Sequence, residues 1–117
     1  MNWVRVAAIA GFLGVALGAF GAHGLKEKLE AAGRVDAWQK AVLYHLVHAV
    51  ALLIISRWNG LEGARWAMLA GILLFSGSLY LLCLTGIRPL GAITPLGGVS
   101  FLAGWLWLAI KAKNAGL

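Results

Sequence analysis

Apolar residues run almost unbroken through four stretches of the chain, at 4–22, 41–55, 66–84 and 96–110, and polar residues gather between them. Each stretch approaches the roughly 20 residues an α-helix needs to cross the ~30 Å hydrocarbon layer of a bilayer. The pattern predicts an all-α, integral membrane four-helix bundle. Its spans fall at about 4–22, 36–57, 65–85 and 95–111 of a single transmembrane domain that takes in residues 1–117.

The polar intervals refine this. Between the first two spans, Leu25, Leu29 and Ala32 repeat at helical spacing, with Lys26, Glu27, Lys28 and Glu30 around the rest of the turn. This predicts a short amphipathic helix on the membrane surface, ended by Gly33, with Asp36 capping the second span. Asn59, Gly60 and Gly63 mark a tight turn. The interval from Ile87 to Pro95 carries both prolines of the chain. It is expected to lie near the headgroups or line a cavity, because irregular backbone at membrane depth needs shielding. Thr94 before Pro95 reads as a helix start.

Gly11, Gly14, Gly18 and Gly21 recur every three or four residues in the first span. Such spacing places them on one helical face, where a second helix can approach closely. An apolar N-terminal run could also be a signal peptide, but the glycine face favours a retained first span.

Composition supports lipid as the solvent. Hydrophobic residues make up 62% of the chain and charged residues 12%, about half the charge content of a soluble domain. The net charge of +6 sits largely at span ends, at Arg5, Arg57, Arg65, Arg88, Lys111 and Lys113. These read as headgroup anchors, and no basic stripe of the kind nucleic acid requires is present. Trp3, Trp38, Trp58 and Trp66 lie at span ends, as an aromatic belt requires. Lysine and arginine do not fix orientation. Arg5, Arg57, Arg65, Lys111 and Lys113 fall on the side of the termini, against Lys26, Lys28, Arg34, Lys40 and Arg88 on the other. The arginine ahead of the first span favours cytoplasmic termini.

Polar side chains within spans need a partner or a purpose. His23, Tyr44, Tyr80 and Thr94 should lie at similar depth, with His48 and Ser76 a turn deeper and Ser78 nearby. The set admits three readings. It is a structural hydrogen-bonded core, or a pocket for a small molecule, ion or proton with His48 titrating, or a metal or haem site using His23, His45 and His48. Zinc would want three or four ligands, and no Asp or Glu lies deep in a span to help. The lone Cys83 reads as a small buried residue. Ser76 and Ser78 do not form a nucleophile elbow, and the Gly97-Gly98 pair is not a phosphate loop. Neither catalytic residues, a resident metal nor a cofactor is expected.

Four segments carry a resemblance: Gly-Ala-Phe-Gly-Ala-His at 18–23, Tyr44 with His48, Leu-Phe-Ser-Gly-Ser-Leu-Tyr at 74–80, and Thr-Pro-Leu-Gly-Gly-Val-Ser-Phe-Leu-Ala-Gly-Trp at 94–105. Over nearly its whole length the chain resembles the YgdD-like family of small bacterial inner-membrane proteins, a domain of unknown function. The matching polar positions are His23, Tyr44, His48, Ser76, Ser78, Tyr80 and Thr94. The chain departs from the pattern at His45, where a relative has glutamine. The resemblance implies a multi-pass protein of the bacterial inner membrane and implies no activity.

The expected function is non-enzymatic: handling of a small molecule or ion in an interhelical pocket, or an accessory role in a membrane complex. Membrane lipid is the expected partner, with a homo-oligomer or larger complex as alternatives.

Overall fold

The computed structural model describes the backbone of residues 1–115 and the side chains through residue 112. It is a bundle 50 × 25 × 20 Å in extent. The elements are α1 (Trp3–Ala22), α2 (Lys26–Ala32), α3 (Val35–Ile55), α4 (Glu62–Gly71), α5 (Gly77–Thr85) and α6 (Thr94–Ala115). A π-helical turn, Ile72–Ser76, joins α4 to α5, so that Glu62–Thr85 forms one rod. A 3₁₀ turn, Arg88–Ala92, leads into α6. Among the described residues, four helical rods are long and apolar enough to cross a membrane. The α3 and α4–α5 rods form the centre, and α1 and α6 flank them with most of their surface outward.

The core forms three layers along the bundle. Trp3, Ala7, Leu52, Ile55, Leu61, Ala64 and Met68 fill the end near the N-terminus. Ala10, Ala49, Ile72 and Phe101 fill the middle. Leu29, Trp38, Ala41, Tyr80 and Cys83 fill the far end. The surface helix α2 belongs to this last layer, because Leu29 is buried beneath it. Gly33 ends α2 in the left-handed region at φ 68°, where a side chain would be strained.

Glycines set the α1–α3 distance. A Cβ on Gly14 would come within 2.6 Å of Leu46, and one on Gly18 within 3.2 Å of Val42. At Gly21 it would overlap the indole of Trp38. Gly11 stands apart, with open space where a Cβ would be. At about 100° per residue it lies roughly 60° from Gly14, enough to leave the contact. Gly97 is tighter still: an added Cβ would overlap the Phe75 backbone nitrogen, so α6 begins with its main chain against the π turn.

Several span-end residues turn inward where the sequence suggested they face lipid headgroups. Arg65 is only 5% exposed. Its Nε donates to the Ile55 carbonyl at 3.2 Å, and its other nitrogens donate to the Trp58 carbonyl and the Glu62 carboxylate. It caps the C-terminal end of α3, where helical carbonyls lack partners and positive charge is favoured. Arg34 and Lys28 do the same for α5, donating to Leu82 O at 3.2 Å and Leu84 O at 3.3 Å. Trp38 and Trp3 are buried and do not join an aromatic belt. Trp38 Nε1 donates across to Leu17 O of α1 at 2.9 Å, and Trp3 packs edge-on to the exposed Trp66 at 5.0 Å. Lys113 lies outside the residues with described side chains.

Two helix starts also differ from expectation. Asp36 does not cap α3; it lies in the first turn, and the cap position is Arg34. At α6 the Ile93 carbonyl accepts from the Leu96 and Gly97 amides. The Thr94 hydroxyl is engaged elsewhere, with Ser78.

Gly97→Ala should destabilise the bundle by about 1–3 kcal/mol, the usual effect of overpacking. Gly11→Ala should be neutral or stabilise by up to about 1 kcal/mol, because Ala is the better helix former. Denaturation in detergent micelles followed by circular dichroism separates the two; equal stability of both variants would contradict this packing.

Candidate functional site

The polar side chains of the spans resolve into three separate groups. The first is His45, on the face of α3 between α1 and α5. Its Nε2 stands 2.7 Å from the Ala10 carbonyl and its Nδ1 2.8 Å from the Tyr80 hydroxyl. A carbonyl can only accept, so Nε2 carries the proton, and in the neutral ring Nδ1 accepts from Tyr80. One side chain thereby joins three helical elements. Sequence pattern favours His48 over His45 as the polar-pocket histidine, yet His45 is as deeply buried. Its sequence signal is position: four residues after the buried Ala41 and four before the buried Ala49, on the inward stripe of α3.

The second group surrounds the π turn. Ser76 Oγ donates to Ala41 O of α3 at 2.7 Å. Ser78 Oγ donates to Phe75 O at 3.0 Å and accepts from the Thr94 hydroxyl at 2.6 Å. A π turn shifts the helical ladder by one residue, as in the bond from the Gly77 amide to Ile72 O. Both serine hydroxyls thus donate to main-chain carbonyls, Ser78 to one within the disturbed segment and Ser76 from that segment to α3.

The third group opens to the outside. His48 donates from Nδ1 to Tyr44 O at 2.7 Å and accepts at Nε2 from the Trp105 indole at 3.0 Å. Its ring stacks on Phe101 with centroids 3.6 Å apart. Tyr44 lies parallel to His48 and packs on Phe75 at 4.6 Å. These rings border a groove of about 450 Å³ between α3, the π turn and α6, completed by Pro95, Gly98, Val99 and Leu102. Tyr44 is 41% exposed on its rim. Its hydroxyl forms no hydrogen bond among the described residues.

His23 does not join these groups. It is exposed at the end of α1, beside Ala16, Ala19, Phe20 and Gly24. The expected single cluster of His23, Tyr44, His48, Ser76, Ser78, Tyr80 and Thr94 is thus divided. His48 with Tyr44 faces α6, Tyr80 faces His45, and the serines with Thr94 serve the π turn. Helical spacing alone fixes neither a shared depth nor the neighbour each residue meets: His45, next to Tyr44, bonds to Ala10 O in the middle of α1, whereas His23 lies at the end of that helix.

Among the described residues, the same geometry brings no tight metal-ligand set together. Both nitrogens of His45 and of His48 are engaged, and no group of three His, Cys, Asp or Glu side chains converges among the described residues. Every buried side-chain nitrogen and oxygen among those residues has a hydrogen-bond partner.

Comparison with known proteins places this arrangement. A family described as "Protein of unknown function (DUF423)" matches residues 17–98, which take in α2, α3, the whole third rod and the start of α6. The chain belongs to the DUF423 family. It is 45% identical over 114 residues to the UPF0382 membrane protein SH2409 of Staphylococcus haemolyticus, covering 93% of each chain. It is 44% identical over 117 residues to the UPF0382 membrane protein YwdK of Bacillus subtilis, covering 94% of each. A UPF0382 membrane protein of Staphylococcus epidermidis is 44% identical over 120 residues, covering 97% of this chain and 98% of the relative. No solved structure matches. This DUF423 protein is therefore a small integral membrane protein of a family whose activity is unknown, and its groups are interpreted on their own geometry.

Tyr80→Phe should cost about 1 kcal/mol of stability by removing the donor to His45. His45→Ala should cost more, since it also removes the donor to the Ala10 carbonyl. A double-mutant cycle should return a coupling of about 0.6–1.7 kcal/mol, the range of interhelical hydrogen bonds in membranes. A coupling of zero would remove the His45–Tyr80 bond as a tie between α3 and α5.

Proposed function

We propose that this protein is a non-enzymatic binder of a small membrane-dissolved molecule, and that the binding site is the groove between α3 and α6. The observation that carries the reading is the groove itself. It is a concave site of about 450 Å³, in the size range of small-molecule pockets, with aromatic rings contributed by α3, the π turn and α6. Two other clefts are smaller and less varied. One of about 310 Å³ beside Gly18 and Trp38 and one of about 270 Å³ between α1 and the third rod have mainly aliphatic walls.

Binding fits the chemistry better than conduction. A path for ions or protons needs groups that can exchange partners along it, whereas the imidazoles of His45 and His48 and the hydroxyls of Ser76 and Ser78 are each closed on a fixed donor or acceptor. His48 as a titrating relay is disfavoured by the same argument. A proton on Nε2 would face the Trp105 N–H, placing donor against donor. The serine hydroxyls, both donating to carbonyls, lack a base that would activate them.

The resemblance to YgdD-like proteins supports a home in the bacterial inner membrane. Arg5 ahead of α1 supports termini in the cytoplasm. On a Cys83→Ser background, Glu27→Cys on the exposed face of α2 should react with an impermeant maleimide in intact cells, and Arg57→Cys should not. The reverse labelling would invert the orientation.

Gly98→Leu tests the groove directly. A Cβ there meets only Phe75 Cδ2, at 4.0 Å, so a leucine can enter the groove without moving the backbone. Solvent extraction of purified protein and mass spectrometry should find a small molecule enriched over bulk membrane in the wild type and depleted in Gly98→Leu. Extracts of both that match bulk membrane would defeat the reading.

A further inference from the structure

We infer that the groove accepts a flat conjugated ring that bears a carbonyl oxygen and is attached to a hydrocarbon tail. This rests on the reading of the groove as a binding site and names the chemistry of its ligand.

The argument starts from the donors that remain. Both nitrogens of His48 are engaged, and the Trp105 N–H is spent on one of them. Among the side chains that line the groove, this leaves the Tyr44 hydroxyl as the polar group without a partner in the described residues. Tyr44 is the tenth of 21 residues in α3, so it lies about 14 Å along the helix at 1.5 Å per residue. That is close to the middle of a ~30 Å hydrocarbon layer. A hydroxyl unbonded at this depth is costly, and phospholipid headgroups lie at the interface, out of its reach. The acceptor must be carried by a molecule that dissolves in the acyl region. A ring carbonyl meets that requirement, and an acyl chain offers no acceptor there.

The walls select a planar group. Tyr44 is tilted on Phe75 and lies within 18° of parallel to Phe101, and His48 stacks on Phe101. Of the rings that border the groove, Phe101 and His48 are buried while Tyr44 and Trp105 are exposed, and the exposed rings favour offset stacking with another π system. Gly98 leaves the floor open, and Val99 and Leu102, both exposed on α6, continue the slot toward lipid, where a tail can extend. An aromatic cage could also attract an organic cation. The site disfavours that occupant, since Glu27, Glu30, Asp36 and Glu62 are the acidic residues of the chain and all lie at span ends or in connections. A cation at mid-depth would have no counter-charge.

The test uses full-length protein in lipid nanodiscs with two probes, a naphthoquinone carrying one isoprene unit and a branched saturated hydrocarbon of similar size. Retention after rapid gel filtration is measured against empty discs for wild type, Tyr44→Phe and Gly98→Leu. The Tyr44 hydroxyl bonds to nothing among the described residues, so its removal leaves the fold's own hydrogen bonds intact, and circular dichroism checks both variants. The quinone should be retained above the empty-disc level. Its affinity should fall about five-fold in Tyr44→Phe, the usual effect of losing one hydrogen bond, and retention should vanish in Gly98→Leu. Equal retention of quinone by wild type and Tyr44→Phe, or preferential retention of the hydrocarbon, would overturn the ring-and-carbonyl assignment while leaving a binding groove. Retention of neither probe would remove both.

Discussion

Hydrocarbon offers no hydrogen bonds, so a polar group that is buried in a span must be answered from within the protein. In this chain the answer takes one recurrent form: a side chain on one helix donates to a main-chain carbonyl on another. Trp38 reaches Leu17 O and His45 reaches Ala10 O, tying α3 to α1. Ser76 reaches Ala41 O, tying the π turn to α3. Ser100 reaches Ala67 O at 2.8 Å, tying α6 to α4. Helical carbonyls have a second lone pair free even when the helix ladder is complete, so each tie forms without breaking a helix. Between apolar helices in lipid there is little hydrophobic drive to associate. Close packing and such ties therefore carry the tertiary structure.

The glycines make these ties possible. The Trp38 indole can reach Leu17 O because Gly21 leaves the surface of α1 open beneath it. Gly71 does the same for Phe101, whose ring fills the space a side chain would take. Phe101 in turn supports His48. The π turn is held from both sides, by Ser76 and Ser78 through hydrogen bonds and by the α6 backbone at Gly97 through contact. It sets the rotation of α5 relative to α4, so Phe75 borders the groove while Tyr80 reaches His45. A single local irregularity thus positions residues in two of the polar groups.

The same economy governs the ends of the helices. Arg65 closes α3, and Arg34 with Lys28 closes α5. Arg65, which the apolar pattern assigns to the headgroups, serves instead as a cap for carbonyls. A membrane helix end next to a short connection has carbonyls without intrahelical partners, and a nearby guanidinium satisfies more than one at once. These capped ends fix the connections that hold the groove-forming helices at their spacing.

The four spans are legible in the run lengths of apolar residues, since bilayer thickness imposes a length that composition alone meets. The α2 surface helix is legible in Leu25, Leu29 and Ala32 at helical spacing, and its end in Gly33. The roles of His45, Arg65, Trp38 and Gly11 are not, because helical periodicity gives an angle on one helix without saying which helix stands there. The π turn is hidden for a related reason: it depends on contacts from Ala41, Thr94 and Gly97, all distant in sequence. Helicity and residence in lipid are thus written into the linear pattern of apolar residues. The pairing of polar groups, and the choice of the Tyr44 hydroxyl as the one left open in the groove among the described residues, emerge on assembly, because partners are set by helix rotation and register that a periodic apolar pattern leaves free.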